Sequence, residues 1–96
     1  MSKKEIIQQH RDEIFNVARK YGVTSIKLFG SVARGEDADS SDVDFLVDME
    51  PGRSLFDLGG FQIELQEIFH CKVDVVTEKG LHWFIRDRIQ KEAMAI

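Results

Sequence analysis

The sequence predicts an α+β fold, a small mixed β-sheet with flanking helices in the order α-β-α-β-α-β-α. Three observations predict it. Three short runs rich in β-branched and aromatic residues read as strands, at Val23 to Phe29, Asp42 to Asp48 and Lys72 to Thr77. Apolar residues recur at helical spacing before the first run and after the last. Turn residues such as Gly22, Gly35 and Pro51-Gly52 punctuate the intervals.

Taken in order, the first helix is expected from Ser2 or Lys3 to Tyr21, with Ile7, Ile14, Ala18 and Tyr21 on its apolar stripe and Gly22 ending it. The first strand follows and stops at Gly30. Ser31 to Gly35 can form a short helical turn, and Glu36 to Ser41, acidic and small, reads as a loop. Asp42 to Asp48 forms the second strand. Ser54 can cap a helix from Leu55 to Phe69, with Asp57 completing a capping box imperfectly. Gly59-Gly60 inside that helix lowers its stability by about 1 kcal/mol per glycine relative to alanine, which points to close packing or a break. Lys72 to Thr77 is the third strand. Leu81 to about Ala95 is the last helix, with Leu81, Ile85, Ile89 and Ala93 on one face. A short connection makes the first two strands antiparallel. A helical connection makes the second and third parallel.

With 96 residues, the chain reads as one domain, 1–96. A domain of this size buries roughly two-thirds of its surface on folding, so little material remains for a separate substrate-binding unit. A macromolecular substrate would have to complete the site from outside. The net charge of −4, without a block of like charge, argues against direct nucleic-acid binding. No apolar run approaches the roughly 18 residues of a membrane span. The start of the chain has no signal-peptide core, and the single cysteine, Cys71, excludes an internal disulfide; a reducing cytoplasm is the expected setting.

The second strand carries the chemistry. Side chains alternate across a strand, so Asp42 and Asp44 point to one side while Val43, Phe45 and Val47 point to the core. Two adjacent carboxylates repel unless a cation lies between them. On this pair alone, solvated acids at a strand end and a metal site are evenly matched. Asp74 lies among the apolar residues of the third strand, an unfavourable place for a lone aspartate. Beside the second strand it would face Asp42 and Asp44; otherwise it is an edge-strand acid facing water. Three carboxylates on neighbouring strands suit one or two Mg²⁺ ions, which take oxygen ligands and keep waters and phosphate oxygens.

The turn Gly30-Ser31 lets the backbone approach a ligand and offers a hydroxyl with outward N–H groups, as a phosphate cradle requires. Antiparallel pairing brings it to the start of the second strand, beside Asp42. A phosphate cradle next to a carboxylate cluster fits a nucleoside triphosphate with Mg²⁺. Arg34 can add positive charge for the phosphates or pair with the acidic loop.

Gly30-Ser31, ten residues, then Asp42-Val43-Asp44 resembles the Gly-Ser-x₁₀-Asp-x-Asp signature of the DNA polymerase β-like nucleotidyltransferase superfamily. The longer run through Gly35 and Ser41 to Val47 is similar to its minimal branch, the MntA-type proteins. The likeness continues through Pro51 to Leu58, Lys72 to Thr77 and Ile85 to Ile89, and so covers nearly the whole chain. The resemblance implies an antitoxin that transfers AMP from ATP to a tyrosine of a partner HEPN-domain ribonuclease toxin. It places the family's three carboxylates at Asp42, Asp44 and Asp74. By that resemblance, Asp42 and Asp44 would hold Mg²⁺, and Gly30 and Ser31 the β- and γ-phosphates. Asp74 would complete a second metal site or accept the hydroxyl proton. The alternatives are a non-catalytic antitoxin that blocks its toxin by binding, and transfer to a small molecule such as an aminoglycoside.

The remaining residues read more plainly. Tyr21 belongs to the first helix's apolar stripe, and Ser41 reads as a turn or positioning residue. His10, His70 and His82 are scattered and form no metal set. Arg86 and Arg88 are expected to pair with Asp87 and Glu92. Trp83 and Met94, about three helical turns apart, can form a partner-binding patch or pack on the first helix.

Overall fold

A computed structural model describes residues 2–96 of the chain. Its helices are α1 (Lys3–Gln9), α2 (Arg11–Lys20), α3 (Gly30–Arg34), α4 (Leu55–Phe69) and α5 (Trp83–Glu92). Its strands are β1 (Val23–Phe29), β2 (Val43–Met49), β3 (Val73–Thr77) and β4 (Met94–Ala95), and a 3₁₀ turn spans Glu78–Gly80. The sheet runs β3-β2-β1-β4. β1 is antiparallel to β2 and to β4, and β2 is parallel to β3. The expected α+β class, mixed sheet and relative strand directions are therefore present.

The core lies on one side of the sheet. Val43, Phe45 and Val47 of β2 meet Phe61 and Leu65 of α4 and Ile14 and Ala18 of α2, all buried. The opposite face carries Asp42, Asp44 and Leu46. Leu46 is buried there, as is Leu81, and both lie outside the main cluster.

The helical ends differ from the sequence expectation. The helix expected from Lys3 to Tyr21 is two helices, broken at His10 (φ −98°, ψ 13°). Both halves still bury the same stripe, through Ile7 and then Ile14 and Ala18. The apolar spacing survives the break, so periodicity alone cannot reveal it. The last helix starts two residues later than expected and ends at Glu92, and Met94–Ala95 turns back as a fourth strand against Leu28 and Lys27. Two residues are too few to show strand alternation in a sequence. Met94 and Trp83 therefore do not share a helix face. Trp83 is 77% exposed, so it does not pack on α1 either.

Helix α4 is continuous. Gly60 allows the Tyr21 ring to come so close that a Cβ there would stand 2.4 Å from it, whereas a Cβ at Gly59 would meet nothing. The capping box that looked imperfect is formed: the Ser54 N–H donates to the Asp57 carboxylate at 3.0 Å, and the Ser54 hydroxyl accepts from Phe56 N–H.

Candidate active site

Strand register decides which carboxylates meet. Asp44 pairs with Phe29 of β1 on one side and with Asp74 of β3 on the other. Asp42 immediately precedes β2 and projects from the same face as Asp44. All three carboxylates thus lie at one end of the sheet, beside the turn where β1 passes into α3. β3 is an edge strand, but Asp74 does not simply face water, because it stands in register with Asp44.

Gly30 opens that turn with φ +78°, a conformation that side chains disfavour. A Cβ at Gly30 would lie 2.2 Å from Oδ2 of Asp44. The turn is therefore in contact with Asp44, the middle carboxylate, and not chiefly with Asp42. Burial pushes the Asp44 carboxyl up to about 6, with the negative charges of Asp74, Asp42 and Glu92 adding to the effect.

Local cations offset part of this charge. The Lys72 ammonium stands 3.7 Å from Asp42 Oδ2 and 3.8 Å from Asp74 Oδ1. Lys3 of α1 holds the loop before β2, donating to the carbonyls of Ala38 (3.3 Å), Asp39 (3.0 Å) and Ser41. The Ser41 hydroxyl accepts from Ala38 N–H at 2.8 Å, so it builds the turn that delivers Asp42. Arg34 donates to Glu36 at 2.9 Å and also bonds Glu92. Glu92 is thus bonded by Arg34, with Arg88 adding positive charge nearby, and Arg86 donates to the Leu81 carbonyl at 3.3 Å instead of pairing along the last helix.

Glu92 and Lys72 are the residues near this cluster that the sequence reading missed. Lys72 had a legible signal, since it stands two residues before Asp74 and shares its side of the chain. Glu92 had none: it reaches the turn from 62 positions away.

The donor chemistry fits a hard divalent cation: carboxylate oxygens, partly buried, with the Asp44 carboxyl held toward its neutral form by burial and by the like charges beside it. Among the described residues no three ligating side chains converge as a finished metal cage. Mg²⁺ commonly uses one or two carboxylates and takes its other ligands from water and substrate phosphates. Gly30, Ser31, Asp42, Asp44 and Asp74 are all half-buried. A hollow of about 340 Å³ elsewhere on the surface is lined by Glu13, Val17, Glu64, Glu67 and Ile68, none of them in the cluster.

The match of residues 11–96 to the nucleotidyltransferase domain model agrees with this arrangement, and the chain belongs to that family. Among curated proteins it is 38% identical over 90 residues to "Putative protein adenylyltransferase MJ0435" of Methanocaldococcus jannaschii, covering 94% of this chain and 97% of that one. It is 31% identical over 93 residues to "Protein adenylyltransferase MntA" of Thermococcus cleftensis, covering 97% and 91%. A solved structure described as a "putative minimal nucleotidyltransferase" superposes with TM-score 0.88 at 33% identity, covering 100% of this chain and 97% of that one. A toxin-antitoxin structure with AMP-PNP shares the fold, with TM-score 0.74 at 19% identity over 88% of this chain and 69% of that one.

Proposed function

We propose that this chain is an antitoxin that transfers AMP from ATP to a tyrosine of a partner HEPN ribonuclease toxin and so neutralises it. The position of Asp44 carries the reading. It lies between a glycine turn that admits no side chain and a second aspartate on the neighbouring strand, and its charge calls for a cation. The names of the similar adenylyltransferases, and the toxin-antitoxin context of the AMP-PNP structure, support AMP transfer and a toxin partner.

In the reaction proposed, a hydroxyl oxygen of the acceptor attacks the α-phosphorus in line. The bond from that phosphorus to the bridging oxygen breaks, and pyrophosphate leaves with the electron pair. Asp42 and Asp44 would hold Mg²⁺, which when bound neutralises charge on the triphosphate and leaving group. Asp74, in register with Asp44, would complete a second metal site or take the hydroxyl proton. The Gly30 N–H and the Ser31 hydroxyl orient the β- and γ-phosphates, and Arg34 supplies the nearby positive charge. Most of the acceleration is positioning and electrostatics at preset groups. The nucleophile comes from the partner, because one small domain, 1–96, leaves little material for a second substrate-binding unit.

The test is incubation of chain and toxin with ATP radiolabelled at the α-phosphate. Label should appear on the toxin with the native chain and be absent with the Asp42→Asn, Asp44→Asn double variant. Full neutralisation by that double variant at normal expression would sink the enzymatic account and leave a binding antitoxin. Label found only in a small-molecule product would point to a different acceptor class.

A further inference from the structure

The phosphate seat of the glycine turn already holds an anion from the chain itself. The Gly30 N–H donates to Glu92 Oε2 at 2.9 Å, and the Arg34 guanidinium bonds the other carboxylate oxygen. These are the donor and the cation that a triphosphate would need. A carboxylate and a phosphate both present oxygen acceptors to such donors, and one N–H pointing at one spot serves only one of them well.

We propose that Glu92 is an internal phosphate mimic, and that a nucleoside triphosphate enters the site by displacing it. This rests on the reading of the Gly30 turn as a phosphate seat. Glu92 is held as a charged anion there: Arg34, the Gly30 N–H and Arg88 keep its carboxyl below the ordinary glutamate range, as they would favour a phosphate in its place. Its negative charge also raises the Asp44 carboxyl, so its departure relieves the carboxylate cluster. Glu92 is also the last residue of α5, a helix with no buried residue along its length and no side-chain cap at its start. The chain just beyond Glu92 is fixed by β4 pairing with β1 and by buried Ile96, so the seat opens by rotation of the Glu92 side chain, with helix and strand left in place. The consequence is a lower apparent triphosphate affinity, reduced by the fraction of molecules in which Glu92 occupies the turn.

The opposite role is a positioning one, in which Glu92 holds the turn and Arg34 ready for the ligand. The two roles predict opposite signs. The measurement is binding of a fluorescent, non-hydrolysable ATP analogue with Mg²⁺, alongside binding of adenosine. The proteins are the native chain, Glu92→Gln, Glu92→Ala and Glu36→Gln, each checked for folding by urea titration. Glu36→Gln removes a negative partner from Arg34 without emptying the Gly30 N–H, and so controls for charge alone.

Loss of one charge-assisted competitor should tighten triphosphate binding about tenfold in both Glu92 variants. Adenosine binding should not change, and Glu36→Gln should gain clearly less. Equal or weaker triphosphate binding in folded Glu92 variants overturns the proposal, as does an equal gain for adenosine or for Glu36→Gln. If none of the folded proteins, native included, binds the triphosphate, the phosphate-seat reading itself has failed and the inference falls with it.

Discussion

At Gly30 the backbone and the chemistry meet. With φ at +78° and the Asp44 carboxylate 2.2 Å from where a Cβ would sit, no other residue fits without moving Asp44. Gly30→Ala should lower the unfolding free energy by about 1–3 kcal/mol from backbone strain, measured by urea titration, and should also abolish AMP transfer. Asp44 gives a second expectation, with a definite sign. Its folded-state pKa of about 6 stands above the ordinary carboxylate value of 3.8. The proton it gains on folding therefore contributes stability fully below pH 3.8, and that contribution is lost as pH rises through 6. The metal-free protein should lose stability from this group across that window. Asp44→Asn should be more stable than the native chain at pH 7 and show no such advantage near pH 4, by urea titration at each pH. Mg²⁺ with nucleotide requires the charged carboxylate, so its affinity should fall as pH drops through about 6, as a calorimetric titration series would show.

Among the elements, α4 offers a paired test within one helix. Gly59 faces open space and Gly60 faces the Tyr21 ring. Gly59→Ala should stabilise the protein by about 1 kcal/mol, because it gains helix propensity at no steric cost. Gly60→Ala should destabilise it despite the same propensity gain, because the ring must retreat from α4. Thermal unfolding of the two variants would separate these signs; equal shifts would contradict the packing described. The pair also explains why the sequence left two readings of Gly59-Gly60 open. Propensity treats both glycines alike, and only the neighbouring helix distinguishes them. The same holds at His10, where two helices share one apolar stripe and spacing gave no sign of the break.

For the whole molecule, the site depends on three distant segments meeting at one end of the sheet: the turn after β1, the start of β2 and the start of β3. A ligand that bridges them should resist unfolding globally. Mg²⁺ with a non-hydrolysable ATP analogue, at a hundredfold excess over its dissociation constant, should add about 2.7 kcal/mol to the unfolding free energy. Asp42→Asn with Asp44→Asn should remove that increment. A calorimetric scan with and without ligand measures both, and an unchanged midpoint for the native chain would contradict a bridging ligand.

The sequence by itself determined the fold class, the directions of its three longer strands, the boundaries of α4 and the identity of the family. Alternation along Asp42 to Val47 separates core from carboxylates within one strand, and the Gly30-Ser31 to Asp42-x-Asp44 spacing is a local signal. Tertiary structure decided what joins segments far apart in the chain. Register places Asp44, more than Asp42, against the glycine turn; Lys3 ties down the loop before β2; β4 returns to β1; and Glu92 reaches Gly30. These are contacts between side chains and backbones that have no sequence period in common. Local propensity and patterning carry no information about them, and they exist only once the sheet has brought its strands together.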